Sequence, residues 1–166
     1  RPVDALTINA SLAFLDPKYK RYIDAVNGVD TDVSGNRAFP HTPKTTAALG
    51  VDYRVAEGDW GRFNVGGDFN YVSGYFTFPY ALTTPNLSAQ NANNTRSPGR
   101  SIVNMRAGVA EVPLAGAKAE FSLWVRNLTK ESDPSNFIDF GPGFGGLTVG
   151  YFPDPRTYGL TAAVKF

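Results

Sequence analysis

The most regular feature of the chain is an alternation of apolar and polar residues with a period of two. It occurs in six stretches of the 166-residue sequence. This period is typical of a β-strand whose two faces meet different surroundings, and it predicts six strands. Their apolar positions are Leu6, Ile8, Ala10, Leu12 and Phe14; Ala47, Leu49, Val51, Tyr53 and Val55; Phe63, Val65, Gly67, Phe69 and Tyr71; Val103, Met105, Ala107 and Val109; Phe121, Leu123 and Val125; and Tyr158, Leu160, Ala162, Val164 and Phe166.

The strands and their connections together indicate an all-β membrane fold. Most strands reach about the 9–11 residues that a tilted membrane-spanning strand needs. The connections alternate between short turns, at 57–59 and 112–116, and long structureless segments, at about 24–40, 79–99 and 129–155. Outer-membrane barrels have short periplasmic turns and long outer loops. The sequence therefore predicts an antiparallel, up-and-down transmembrane β-barrel segment whose last strand descends to the periplasm.

The two sides of the predicted strands differ in charge. One side is almost free of charge and carries Leu6, Leu49, Phe69, Met105, Leu123 and Leu160. The other side carries Lys44, Arg54, Arg62, Asp68, Arg106, Glu120, Arg126 and Lys165. Because Lys or Arg on the lipid face near the membrane centre costs about 2–4 kcal/mol, the charged side is predicted to face a polar lumen. Aromatic residues near the strand ends predict two interfacial girdles, one of Tyr53, Trp60, Phe63 and Phe166 and one of Phe14, Tyr19, Tyr71, Tyr75 and Tyr158.

Composition narrows the classes further. Apolar residues make up 42% of the chain, but no apolar run approaches the roughly 20 residues of a membrane-spanning helix. The net charge of +1, with no basic run, argues against a nucleic-acid partner. The absence of cysteine excludes a disulfide framework and a thiolate metal site, and suits a protein that crosses an oxidising periplasm.

The six predicted strands are too few to form a closed membrane barrel by themselves. Closed membrane barrels begin at about eight strands, and an open sheet edge in lipid would leave backbone groups unpaired. We therefore expect further strands upstream and treat residues 1–166 as one C-terminal barrel segment. Two alternatives remain. A soluble β-sandwich explains the alternation equally well, but not the long strands, alternating loops and aromatic rims together. A smaller outer-membrane barrel, either a porin or an enzyme with a rim active site, is the other.

Four stretches carry a resemblance to a known family. They are Ala5–Tyr19 (ALTINASLAFLDPKY), Thr42–Lys44 (TPK), Phe121–Lys130 (FSLWVRNLTK) and Pro155–Phe166 (PRTYGLTAAVKF). Each is similar to a strand, or to the approach to a strand, in the C-terminal barrel of TonB-dependent receptors. Lys130-Glu131 replaces the aspartate-lysine pair that is usual in that family, a small departure. The last stretch, which closes the barrel in the family, is the most distinctive.

The resemblance implies a function for the parent protein. It implies a 22-strand barrel in the Gram-negative outer membrane, filled by an N-terminal plug and powered by the TonB complex. Such receptors import small-molecule ligands such as iron–siderophore chelates, cobalamin or carbohydrate oligosaccharides. The expected partners are outer-membrane lipid, the plug domain, the TonB complex and the ligand, and no nucleic acid. The resemblance implies no enzymatic activity and no bound cofactor.

Two sets of residues are candidate functional sites. The first is a group of charged residues that we expect to face the lumen and to contact the plug, one another or a ligand: Arg62, Asp68, Arg106, Glu120 and Arg126. The second is the end of the last strand, where Tyr158, Leu160, Val164 and Phe166 resemble the signal that the barrel-assembly machinery recognises. An unpaired edge strand suits such recognition because another strand can add to its free backbone groups.

Three other motifs are weaker candidates. Gly141–Gly146 has G-x-G-x-x-G spacing, but no predicted helix follows to hold a phosphate, so an outer loop is favoured. The stretch 30–35 resembles the start of a calcium loop but lacks the final glutamate. His41, the only histidine, has no nucleophile motif beside it. Substrate contacts are also expected from long-loop residues, among them Tyr80, Asn86, Gln90, Asn91, Phe137, Phe144 and Tyr151.

Overall fold

The computed structural model describes residues 3–83 and 94–166. Strands dominate both ranges, with 3-10 turns at Ser34–Asn36 and Pro142–Phe144. The strands are β1 (Leu6–Phe14), β2 (Ile23–Val26), β3 (Val29–Asp32), β4 (Thr45–Gly58), β5 (Gly61–Val72), β6 (Tyr75–Phe76), β7 (Arg96–Ser97), β8 (Arg100–Leu114), β9 (Ala117–Arg126), β10 (Asn136–Asp139), β11 (Thr148–Tyr151) and β12 (Thr157–Lys165). None of the helical segments in the described ranges has the length and apolarity needed to cross a membrane.

The six long strands form one sheet in the order β1-β4-β5-β8-β9-β12, and every neighbouring pair is antiparallel. These are the six strands predicted from the alternation, joined in up-and-down order, so the predicted fold class is confirmed. The sheet is open, with β1 and β12 as its edges. Within the described residues it is a single layer, and the β-sandwich alternative is therefore wrong.

The strands extend further toward the short turns than the sequence predicts. β8 continues to Leu114, which pairs with Ala117, and only Ala115 and Gly116 form the turn. Both turn residues have positive φ, 47° and 88°, as a two-residue hairpin turn of type I′ requires. The predicted connection at 112–116 is thus too long. Alternation fades near a tight turn, and Pro113 in particular argues against a strand.

Two β-bulges interrupt the alternation near the short-turn end. The register of β4 against β5 shifts between Arg54 and Ala56, and that of β8 against β9 shifts between Val109 and Val112. Val55, predicted to be an apolar-face residue, is the extra residue of the first bulge. Ala56 takes the position opposite Phe63. An inserted residue of this kind bends the strand and increases its twist.

The long connections are not structureless, contrary to the prediction. Each contains a small two-stranded sheet, formed by β2–β3, β6–β7 and β10–β11. The β2–β3 turn is Asn27-Gly28, with φ of 52° and 80°, a sequence that favours the type I′ turn. We call residues 15–44, 73–83, 94–99 and 127–156 the loop layer. Most of the fully buried residues lie there, and they are small: Ala38, Thr77, Ala81, Thr95, Ser97 and Asn127.

Candidate functional site

The register divides the six-stranded sheet into two chemically distinct faces. Directly paired residues of neighbouring strands lie on the same face. One row across all six strands consists of Ile8, Val51, Gly67, Met105, Val125 and Tyr158, and we call its side the apolar face. The adjacent row, on the polar face, consists of Thr7, Asp52, Gly66, Arg106, Trp124 and Gly159. The alternation seen in the sequence is therefore a continuous separation across the sheet.

All five charged residues of the first candidate set lie on the polar face. The register pairs Arg62 with Ala110, Gly66 with Arg106, and Asp68 with Asn104. Glu120 and Arg126 face Ala163 and Thr157 of β12. The five residues thus share a surface, and that this surface lines a lumen stays a prediction.

An ion pair joins β8 to β4 over the strand between them. Arg106 donates from Nη2 to Oδ1 of Asp52, although β5 lies between the two strands. Gly66 of β5 makes the crossing possible, because a Cβ there would lie 2.5 Å from Asp52 Oδ1 and 3.0 Å from Arg106 Nε. Both charged side chains are more than half exposed, so the pair itself contributes only about 0–1 kcal/mol. Asp52 is not among the predicted site residues, because its contact with Arg106 depends on a cross-strand register that the sequence does not show.

A second charge network lies near the short turns. Glu111, in the β8 bulge with φ of 58°, pairs with Arg62 of β5 and with Lys118 of β9, whose Nζ lies 3.2 Å from its carboxylate. The bulge therefore places one carboxylate between cations of both neighbouring strands. The Nε of Arg62 is buried and has no hydrogen-bond acceptor among the described residues. Buried donors of this kind are rare in folded proteins.

The other three predicted residues contact neutral groups or none. Asp68 accepts hydrogen bonds from the side-chain amides of Asn70 (2.9 Å) and Asn104 (2.7 Å). The guanidinium of Arg126 lies 5.0 Å from the ring centroid of Trp124. Glu120 has no cation within ion-pairing distance in the described part of the chain. The partners of the five residues therefore come from outside the set.

The polar face holds two concavities that the Asp52–Arg106 pair separates. The one nearer the short turns has a volume of about 430 Å³ and includes Arg54, Arg62 and Glu120 in its lining. The one nearer the long loops has about 520 Å³ and includes Asp68, Trp124 and Arg126. Asp52, Arg106 and Ser122 line both. Since charges of both signs line each, these surfaces suit a polar partner rather than a purely anionic or cationic one.

The loop layer is held together around Tyr80. The backbone N–H of Ala38 donates to the Tyr80 carbonyl at 3.0 Å, and the Tyr80 hydroxyl donates to Asp139 of β10. Burial, and then the hydrogen bond to Asp139, raise the pKa of Tyr80 to about 12. Asn36 also accepts the backbone N–H of Leu82 at 3.0 Å. One residue thus links all three long connections.

Further bonds tie the second connection to the third. The Tyr75 hydroxyl donates to the carbonyl of Ser135 at 2.6 Å, and the Ser97 hydroxyl donates to that of Pro134 at 2.9 Å. Tyr19 stacks on Phe39 with centroids 4.7 Å apart. Tyr19 and Tyr75 were assigned to the outer aromatic girdle. The structure places them within the loop layer, where their polar and aromatic partners are protein groups.

In the calcium-like stretch, residues 30–35, a carboxylate binds backbone N–H groups of its own loop. Asp32 accepts the backbone N–H groups of Ser34 (3.0 Å) and Tyr22 (3.2 Å), and these bonds lower its pKa. Asp24 pairs with Arg37 at 2.5 Å, and the hydrogen bond from Arg37 lowers the pKa of Asp24. Over residues 3–83 and 94–166, no three His, Asp or Glu side chains come together in a way that could hold a metal ion.

The other two weak motifs are turn elements. The carbonyl of Gly141 accepts the N–H groups of Phe144 and Gly146, at 3.2 and 3.1 Å, which closes the tip of the β10–β11 hairpin. A strand, not a helix, follows this glycine-rich tip, so a phosphate-binding helix end is missing. His41 has φ of 50° and donates its backbone N–H to Phe76 at 2.8 Å. That bond helps to join the first two long connections.

The remaining candidates are long-loop residues and the end of the last strand, and they differ in exposure. Phe144 and Tyr151 of the β10–β11 region are exposed, whereas Tyr80 is engaged as described. Asn86, Gln90 and Asn91 lie outside the described residues. At the end of the sheet, Tyr158, Leu160 and Val164 lie on the apolar face of the edge strand, and Phe166 follows it, fully exposed. The roles of these residues in ligand contact and in assembly stay predictions.

Comparison with known proteins gives a consistent assignment. No curated protein matches the chain. Among solved structures, the ferric preacinetobactin receptor BauA from Acinetobacter baumannii superposes with a TM-score of 0.67 at 20% sequence identity, over 99% of this chain and 20% of that receptor. The chain therefore spans about a fifth of that receptor, and at this identity the likeness shows the fold. The family model described as "TonB dependent receptor-like, beta-barrel" matches residues 4–128. With that match over most of its length, the chain belongs to the TonB-dependent receptor β-barrel family.

Proposed function

We propose that this chain forms the C-terminal wall of a TonB-dependent uptake receptor in the outer membrane of a Gram-negative bacterium. The observation that carries the proposal is the two-faced single sheet. Its apolar face exposes large side chains such as Leu123 (64%) and Leu160 (69%), which no described part of the chain covers. Contact of such an apolar face with lipid is favourable, whereas its exposure to water is unfavourable. The polar face then lines the lumen and meets the plug domain and the ligand.

The ligand class that we propose is an iron–siderophore chelate, with cobalamin and carbohydrate as the alternatives. The support is the fold shared with a ferric preacinetobactin receptor. Uptake of radiolabelled ferric siderophores, cobalamin and oligosaccharides by cells with and without the complete gene would distinguish the three. Uptake that persists without a functional TonB complex would contradict the proposal. The proposed role is transport, not catalysis.

The membrane assignment can be tested on the complete protein with site-directed spin labels. The chain contains no cysteine, so Leu123→Cys and Ser122→Cys each give one label site in this segment. We expect a label at 123 to collide mainly with oxygen dissolved in lipid, and a label at 122 to collide less with it. Leu160→Cys and Thr161→Cys, their partners on β12, repeat the test. Equal exposure of labels 122 and 123 to a water-soluble nickel chelate would contradict a lipid-facing side.

We further propose that the barrel-assembly machinery recognises β12 through Tyr158, Leu160, Val164 and Phe166. The support is that β12 is an edge strand with a free row of backbone hydrogen-bonding groups. Phe166→Ala is expected to reduce the amount of folded protein in the outer membrane. A change at an exposed residue away from the strand, such as Phe144→Ala, serves as the control.

A further inference from the structure

Trp124 makes an unusual contact between the last two strands of the sheet. Its indole ring lies over Gly159 of β12, where an added Cβ would be 2.7 Å from Cη2 and closer still to Cζ2 and Cε2. The indole N–H donates to the hydroxyl of Thr161 at 3.1 Å. The guanidinium of Arg126, 5.0 Å from the ring centroid, stacks on the same ring. One side chain of β9 thus contacts two residues of β12.

The contact depends on one alignment of the two strands. Gly159 is directly opposite Trp124, and it is the only glycine in β12. A slip of two residues in either direction would bring Thr157 or Thr161 opposite the ring. Both have a Cβ and a branched side chain where the indole lies. The hydrogen bond to Thr161 would also be lost or displaced.

The apolar pattern of β12 does not exclude such a slip. A slip of one residue turns every side chain to the other face, and the alternation opposes it. A slip of two residues leaves Tyr158, Leu160, Ala162 and Val164 on the apolar face. β12 is also an edge strand of this sheet, so within the described residues β9 is the one strand that aligns it. Discrimination against the two-residue slip must therefore come from individual side-chain contacts.

We propose that Trp124 and Gly159 form a register lock that admits β12 in one alignment only. A flat aromatic ring over a glycine of an edge strand fixes register because it needs the missing side chain. The importance of the lock rests on the proposed function in one respect. In a closed barrel, the free edge of β12 pairs with another strand. A wrong register between β9 and β12 would therefore also misalign β12 with that strand.

The register can be measured by disulfide crosslinking in the complete receptor, since this segment has no cysteine of its own. Glu120→Cys with Ala163→Cys reports the native alignment, because these residues are direct partners. Glu120→Cys with Lys165→Cys reports a slip of two residues. Paired positions fall within the Cα separation that a disulfide spans, whereas diagonal positions, about 7–8 Å apart, exceed it.

Removing the ring should loosen the register. In Trp124→Ala, the ratio of slipped to native crosslink is expected to rise by about twofold to tenfold, the factor that an aromatic contact contributes. Phe121→Ala is the matched control, because Phe121 is an aromatic residue of the same strand that faces Ala162 instead of glycine. An unchanged ratio in Trp124→Ala, or an equal rise in Phe121→Ala, would overturn the lock.

A second pair of variants tests the steric half of the proposal. Gly159→Ala places a methyl group against the ring and is expected to lower the folded fraction, measured by heat-dependent gel mobility. In a Trp124→Ala background the ring is absent, so Gly159→Ala should lower the folded fraction much less there than it does in the wild-type background. If Gly159→Ala is equally harmful with and without the ring, the proposal fails. A crosslink ratio that depends on the Trp124 ring, in a receptor that takes up none of the ligands, would support the lock and contradict the proposed function.

Discussion

The six-stranded sheet and the loop layer differ in where their side chains lie and in what holds them in place. In the sheet both faces are open, and large apolar residues such as Leu123 and Leu160 are mostly exposed. In the loop layer small residues such as Ala38 and Ser97 are buried, and hydrogen bonds join positions far apart in sequence. The sheet therefore lacks a cover for either face within the described residues, whereas the loop layer has a buried, hydrogen-bonded interior of its own, although Phe144 and Phe152 are exposed there as well.

This difference has a consequence for how each region fails. On the proposed function the apolar face of the sheet meets lipid, so a single charge placed on that face would oppose transfer of the sheet into the membrane. The loop layer depends on individual hydrogen bonds, each of which contributes about 0.5–1.5 kcal/mol. Changes in the sheet should thus affect assembly, and changes in the loop layer should affect local opening.

The largest effect is expected from a charge on the apolar face. Leu123→Arg should block folding into the membrane, because an arginine at mid-strand costs about 2–4 kcal/mol on the lipid side. Ser122→Arg, one residue away on the polar face, should be tolerated. Folding of the two variants into lipid vesicles, followed by gel mobility without heating, measures the difference. Equal loss of folded protein would show that the inside and outside faces are wrongly assigned.

A smaller effect is expected within the polar face itself. Gly66→Ala inserts a methyl group beneath the Asp52–Arg106 pair and should lower the free energy of unfolding by about 1–2 kcal/mol through crowding and loss of the pair. Gly50→Ala is the matched control, because the nearest atom to its added Cβ is 4.0 Å away. Urea unfolding in lipid vesicles compares them. Similar midpoints for the two variants would mean that the crossing over Gly66 is not sterically required.

In the loop layer, Tyr80→Phe removes one hydroxyl and keeps the ring. Loss of the bond to Asp139 should cost about 1 kcal/mol locally and leave the sheet intact. Cleavage of the β10–β11 hairpin by an added protease should accelerate about fivefold, the factor that corresponds to that energy. Tyr151→Phe, in the same hairpin, is the control. Since the pKa of Tyr80 is raised to about 12, the same bond should contribute fully below about pH 10 and be lost as pH rises toward 12.

The smallest effect is expected from acid. The pKa values of Asp24 and Asp32 lie below their ordinary 3.8, because each carboxylate accepts hydrogen bonds in the folded loop. Their contribution is therefore present above about pH 4 and is lost as pH falls through the lower, folded value. Hydrogen exchange of β2 and β3, corrected for the intrinsic effect of pH, should rise in that range while β4 and β5 stay protected. An Asp24→Asn variant should show a weaker dependence.

The sheet could be predicted because its physical cause is local and periodic. Each strand alternates between apolar and polar residues, so the sequence alone assigns Leu49 and Asp52 to opposite faces of the sheet. The bulge at Val55 could not be foreseen, because an extra residue in a strand leaves no mark in an apolar–polar pattern as short as this. The loop hairpins were missed for a different reason. Only β2–β3 contains an Asn-Gly turn, and such a turn predicts a hairpin only when alternating strands flank it.

The sequence predicted which charged residues belong to the candidate site, but not which residues they contact. The charges of the polar face follow from the alternation, yet their partners depend on register. Asp52 reaches Arg106 only because Gly66 lies between them, and Glu111 reaches Arg62 only because of a bulge. Trp124 lies on the polar face, where the apolar–polar alternation gives no reason for an aromatic residue. The reason is a glycine on the next strand, 35 residues later in the sequence.

At each of the two bulges the alternation changes from odd-numbered to even-numbered apolar residues, but the apolar and polar faces of the sheet are not exchanged. On the long-loop side of the β8 bulge the apolar face uses odd-numbered residues, such as Val109, and on the short-turn side it uses even-numbered ones, such as Val112. The bulge absorbs one residue, so the chain can gain or lose a residue there while its apolar and polar faces stay in place. The bulge in β4, the neighbour of β5 on the side opposite β8, also absorbs one residue. The short-turn rim of this wall can thus vary in length more freely than its strict two-residue period suggests.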